Sequence, residues 1–237
     1  RQALFSLLAV YAASMNFTIF EISVVTFLVA ISGAISQWPI GKLSDALDRR
    51  LVIIYCTFGS ALFALCAIIA SSQIYMPEGL ATSKNWFYFF VMLFSFCSLP
   101  MFALIFAHTN DFIPKEKFVS AGAGLQFVFG LGAMIGPFFC SLFMDTVGPN
   151  GFFIYLILFH ALIGLFGIYR MRIREAVDNP DSQFAPMPQT ITPLGLELNP
   201  SAEHIEEPYS EKVKKMLERK GVSFKKEDTS DKIEEKI

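Results

Sequence analysis

The side chains able to do chemistry in this chain are few, and most stand at the edges of long apolar runs. The densest group is GKLSDALDRR at Gly41–Arg50, where Asp45 and Asp48 stand beside Arg49 and Arg50. Carboxylates and guanidinium groups avoid lipid, so a polar decapeptide between two apolar runs must lie at a membrane surface, and it is too short to be a domain. Its two arginines could pair with Asp45, with Asp48 or with helix carbonyls. His108 and Asp111 are three residues apart on one helical side. Such a pair could bind a proton or tie down a helix end, and terminal capping is the plainer account. Glu21 opens an apolar run, as a solvated helix-start acid or as a proton carrier. Gln126 and His160 stand alone, and each suits an interhelical hydrogen bond better than a substrate contact, although Gln126 lies deep enough to reach a midplane site.

Several chemistries lack their residues. Cys56, Cys66, Cys97 and Cys140 fall inside apolar stretches with no C-x-x-C spacing, which suggests neither a disulfide framework nor a metal site. No D-x-x-x-D, H-x-x-x-x-D or G-x-S-x-G supports a membrane enzyme acting on a lipid, and only His108 with Asp111 remotely resembles such a cluster. No catalytic residue, metal ligand or cofactor is expected. A formal charge of −2 carries no nucleic-acid signature.

The elements that position these groups are membrane helices. A mean hydropathy of +0.49 is unusual for a soluble domain of this size. A helix rising about 1.5 Å per residue needs roughly 20 apolar residues to cross the hydrocarbon core. Five segments are that long: 20–40, 51–71, 86–108, 118–143 and 151–170. A sixth, over about 1–15, is shorter, which fits a helix cut off near its start, or a re-entrant or interfacial segment. Arg1 in place of Met likewise suggests an internal start. With these spans Lys42, Arg49, Arg50, Lys115, Lys117, Arg170, Arg172 and Arg174 fall on one side and only Lys84 on the other. Cytoplasmic connections hold the excess of basic residues, so 41–50, 109–117 and the C-terminus are expected in the cytoplasm. Gly132 and Gly136 give the 118–143 span a small-residue face for packing, and Pro137 should kink it. Beyond a transmembrane part at 1–175, the segment 176–237 is rich in charge and proline and cannot bury a core, although 210–220, capped by Ser210 and ended by Gly221, could form a short helix.

The decapeptide resembles the hallmark loop of the major facilitator superfamily, G-x-L-[AS]-D-x-x-G-R-[RK]. Gly41, Leu43, Ser44, Asp45, Arg49 and Arg50 fit, while Asp48 replaces a glycine and Ala46 a frequent basic residue. Gly132-x-x-x-Gly136-Pro137 resembles the G-x-x-x-G-P motif of superfamily antiporters, without the glycines that follow. SQWPIGKLSDALDRR, FAHTNDFIPKEK, GLGAMIGPFF and FAPMPQTITPLGLELNP are similar to the C-terminal half of the bacterial YcaD-like branch. The resemblance implies an all-α membrane protein: a six-helix half, its first helix truncated, of a twelve-helix transporter, with a largely disordered cytoplasmic tail. An N-terminal half followed by the central loop is the alternative placement. It also implies a cytoplasmic gate at Gly41, Asp45, Arg49 and Arg50, in which Asp45 meets a helix end of the other half.

The function implied is secondary active transport of a small solute across the bacterial inner membrane by alternating access, coupled to protons, with Glu21, His108, Asp111 and Gln126 as candidates along the pathway. The expected partners are that solute, protons, membrane lipids and the missing N-terminal half, and no nucleic acid. A scaffold or sensor acting through the tail, or a lipid-modifying membrane enzyme, are the alternatives.

Overall fold

The computed structural model describes residues 2–72, 80–114 and 117–173, all helices and short connections without a strand among them. The helices are α1 (Gln2–Ser14), α2 (Ile19–Ala46), α3 (Arg49–Ser72), α4 (Leu80–Ser98), α5 (Met101–Asn110), α6 (Phe118–Val147) and α7 (Gly151–Ile173). The segment 176–237, with the expected helix at 210–220, lies outside the described residues. Ile19–Ala46, Arg49–Ser72, Lys84–Asn110, Phe118–Val147 and Gly151–Ile173 are long and apolar enough to cross a membrane. With the shorter apolar α1 they give an all-α bundle of the kind expected of such a half.

Two boundaries differ from the expectation. The polar decapeptide is not a loop: α2 runs through Ala46, α3 starts at Arg49, and only Leu47 and Asp48 turn the chain. A helix closes its own backbone hydrogen bonds, so it can leave the hydrocarbon with polar side chains attached, and Leu47 N donates to Leu43 O at 3.0 Å to finish the last turn. The fourth span, expected unbroken over 86–108, is divided at Leu99–Pro100 into α4 and α5. Pro100 has no N–H for the preceding turn, and its ring crowds the carbonyl four residues back. The displaced Leu99 settles on Gly33 of α2, where an added Cβ would come within 2.9 Å of Leu99 Cβ.

The other ends follow local rules. Thr18 and Glu21 form a capping box at the start of α2: Thr18 N donates to Glu21 Oε2 at 2.7 Å, and Glu21 N to Thr18 Oγ1 at 3.3 Å. Gly148 ends α6 at φ 88°, a left-handed backbone that glycine adopts without strain.

Packing divides the molecule along its length. Where α1, α4 and α7 meet, Tyr11 lies 4.9 Å from Phe153 and 5.4 Å from Phe152, centroid to centroid, beside buried Phe87. Toward the other end, Ile40, Val52, Ile53, Cys56, Met101 and Leu104 form a smaller apolar floor. α3 packs between α4 and α7. α6 differs from the rest: 6% of its apolar window is buried, against 39% for α3 and α7.

Candidate functional site at the charged end of the bundle

Above that apolar floor, the first turn of α3 lifts Arg49 into the angle between α2 and α5. The side chain is 7% exposed, and its donors are taken up from three directions. Nη1 donates to both oxygens of Asp111, at 2.8 and 2.9 Å. Nη2 donates to Asp45 Oδ1 at 3.2 Å, and Nε to Ser44 Oγ at 3.0 Å. A buried guanidinium is tolerated only when opposite charge and hydrogen bonds surround it, and Asp45 and Asp111 provide both. Asp111 is the more enclosed carboxylate, at 13% exposure, whereas Asp45, at 37%, also faces outward.

Arg50 points the other way. Its Nη2 donates to Asp48 Oδ2 at 2.8 Å and its backbone N–H to Asp48 Oδ1 at 2.9 Å, which ties the two-residue turn to α3. This hydrogen-bonded guanidinium holds the Asp48 carboxyl below its ordinary range, against the opposing effect of partial burial. Arg50, His108, Thr109, Phe112, Ile113 and Arg170 line a recess of about 340 Å³.

His108 and Asp111 share no hydrogen bond, and Asp111 caps α5, its N–H donating to Ala107 O at 3.1 Å. Asp111 turns to Arg49, while the His108 ring meets Phe112 edge-on, centroids 5.0 Å apart. Glu21 lies at the far end of α2, where Lys84 Nζ sits 2.6 Å from its Oε1 and 5.0 Å above the Phe17 ring. It is a capping acid and ion-pair partner, linking the start of α2 to α4. Gln126 is half-buried on α6, apart from the charged end. Gly41 is buried within α2.

Gly132, Gly136 and Pro137 lie on α6, which continues through the proline as one helix. An added Cβ at Gly132 meets nothing within 4 Å, and at Gly136 only Tyr155 Oη at 3.7 Å. Among the described residues, no helix presses on the Gly132 face. Both glycines border a cleft of about 330 Å³ that also touches Ser98, Tyr155 and His160. Buried His160 makes the interhelical contact expected of it: Nδ1 lies 2.7 Å from Leu156 O and Nε2 2.9 Å from Ser98 Oγ. A carbonyl only accepts, so Nδ1 carries the proton and the neutral ring's Nε2 accepts from Ser98.

Sequence reasoning missed three features here: the Arg49–Asp111 bridge, the identity of Ser98 as the partner of His160, and the approach of Arg170 to Arg50. The first two join residues 62 positions apart. Only the excess of basic residues at this end hinted at the third.

Residues 1–218 match the Major Facilitator Superfamily. The chain belongs to the major facilitator superfamily. It is 24% identical over 183 residues to an uncharacterized MFS-type transporter of Yersinia enterocolitica, an alignment that covers 77% of this chain and 43% of that protein. Uncharacterized MFS-type transporters of Yersinia pestis and Yersinia pseudotuberculosis are 21% identical over the same shares. The chain thus spans less than half the length of the curated superfamily relatives it matches. No solved structure matches it. Within the decapeptide, Arg49 bonds Ser44 and Asp45, Arg50 bonds Asp48, and Asp111 joins Arg49 from the cap of α5.

Proposed function

We propose that this chain is the C-terminal half of a secondary active transporter of the bacterial inner membrane, in the YcaD-like branch, that moves a small solute by alternating access. The observation that carries the reading is the Arg49 cluster in a chain of this family. It is a buried cation shared by the ends of three helices, with one acceptor, Asp45, still partly open to the outside. A carboxylate placed like that can accept hydrogen bonds from a helix N-terminus of the other half when the gate shuts and exchange them for water when it opens. Gly41 keeps the end of α2 slim, Arg49 anchors Asp45, and Arg50 fixes the turn through Asp48. The cluster lies in the cytoplasm, as do the α5–α6 connection and the C-terminal segment.

Coupling is to protons. His108, at the recess beside the cluster, and Asp111, inside it, are the groups placed to exchange them at this face. Glu21, held by Thr18 and Lys84, and Gln126 on α6 would act farther along the pathway. Gly132 and Gly136 offer a close-approach surface to the other half, with Pro137 setting the direction of α6.

The test is flux in proteoliposomes that hold the full-length transporter under an imposed proton gradient, across a metabolite and dye panel, with Asp45→Asn beside the wild type. Gradient-driven flux that collapses in a normally inserted Asp45→Asn protein supports a gate through α2. Unchanged flux removes Asp45 from the mechanism, and no gradient-driven flux across the panel overturns proton-coupled transport.

A further inference from the structure

We infer that the recess between α3, α5 and α7 holds a phosphate group, and that the headgroup of an anionic phospholipid supplies it. Two guanidinium groups, from Arg50 and Arg170, and the His108 ring converge on this recess, and among the described residues no acidic side chain lines it. Asp48 takes the Nε and Nη2 edge of Arg50, which neutralises part of that charge. Arg170 is the stronger donor, because no side-chain hydrogen bond or ion pair falls to it among the described residues. Thr109 donates its hydroxyl to Ile105 O at 2.8 Å and so contributes shape more than hydrogen bonding. A guanidinium fork matches phosphate oxygens in geometry as well as charge.

The surroundings select a lipid as the source. Arg170 is on the last turns of α7, where Phe166, Tyr169 and Ile173 are 62%, 59% and 62% exposed. A phosphate seated against Arg170 would leave its acyl chains to run along that apolar surface, with Phe112 and Ile113 as the wall for the glycerol ester region. A basic residue at a membrane surface favours acidic lipid over zwitterionic lipid. The lipid would thereby bridge α5 and α7 beside the Arg49 cluster without touching Asp45 or Asp111.

The experiment is native mass spectrometry of the full chain, purified in mild detergent and exposed to equal phosphatidylglycerol and phosphatidylcholine, with phosphorus NMR line broadening of inorganic phosphate as a second arm. The wild type should retain phosphatidylglycerol preferentially. Arg170→Gln should lower that retention roughly fivefold, and Arg170→Lys, which keeps the charge but loses the fork, should fall between them. Arg172→Gln, exposed and outside the recess, should match the wild type. Arg170-dependent broadening of inorganic phosphate without lipid retention would keep the phosphate site and replace the lipid with a soluble anion. Equal retention by the wild type and Arg170→Gln, without such broadening, would overturn the site. So would an Arg172→Gln loss as large as that of Arg170→Gln, because that is the behaviour of general surface charge.

Discussion

Two adjacent arginines at the start of α3 should behave very differently when replaced. Arg49 is 7% exposed and bridges two carboxylates, so Arg49→Gln takes away the guanidinium that Asp45 and the nearly enclosed Asp111 share. Removing one partner of a buried pair costs about 3–5 kcal/mol, which should appear as a large fall in denaturant or thermal stability in detergent. Arg50 is bonded to Asp48, which is 28% exposed, and Arg50→Gln should cost no more than about 1 kcal/mol. The smaller effect has a pH signature. Asp48 titrates below its ordinary value of about 3.9 because Arg50 bonds its charged form. The pair therefore stabilises the fold above that ordinary value and loses this contribution as pH falls through the lowered one. The stability gap between wild type and Arg50→Gln should be constant near neutrality and close only in acid below pH about 4, and a gap already closing at pH about 6 would assign it to another group. The spacing of Asp45, Asp48, Arg49 and Arg50 pointed to these partners in advance. Asp111 was singled out beside His108, on helical spacing alone. Its capture by Arg49 comes from the packing of α5 on α3, which no local pattern encodes.

Helices were legible wherever a long apolar stretch had no strong interruption, and their boundaries were misread where backbone chemistry overrode hydropathy. Hydropathy marks where side chains leave the lipid, not where hydrogen bonding stops, and so the last turns of α2 resembled a loop. Hydropathy also passes straight over Pro100, because proline interrupts the backbone ladder without making the segment polar. Two glycines test the packing consequence. Gly33 lies under Leu99 at the break, and Gly33→Val should force the α4–α5 junction away from α2 and cost about 1–3 kcal/mol, the usual penalty for overpacking. Gly132→Ala adds a methyl where nothing lies within 4 Å, so the stability of this bundle should stay within about 0.5 kcal/mol of the wild type. If α6 seats against the other half, as proposed, the same Gly132→Ala protein should lose flux while unfolding normally. Equal stability losses at Gly33 and Gly132 would mean that α6 packs within this bundle after all. The glycine pattern was plain in the sequence, but the missing neighbour was not, because small-residue spacing says only that something can come close.

For the molecule as a whole, orientation in the membrane decides what the Arg49 cluster can meet. α2 is 28 residues long, a rise of roughly 42 Å, and it carries the Glu21–Lys84 pair near its start and the Arg49 cluster at its end. A bilayer of about 30 Å hydrocarbon thickness leaves these two charge groups at opposite surfaces. Among the described residues, Lys42, Arg49, Arg50, Lys117, Arg170 and Arg172 fall toward the cluster end and Lys84 beside Glu21, a bias that favours the cluster end for the cytoplasm. Ser14 and Leu47 report the two surfaces directly, since both are exposed and lie next to the two ends of α2. With Cys56, Cys66, Cys97 and Cys140 replaced, a single cysteine at Ser14→Cys should react with a membrane-impermeant maleimide in intact cells. One at Leu47→Cys should react only after lysis. The reverse pattern would turn the cluster outward, where Asp45 would meet the external medium and could not be part of a cytoplasmic gate. Labelling of both positions in intact cells would mean that α2 does not cross the bilayer, and the six-element reading of this half would fail with it.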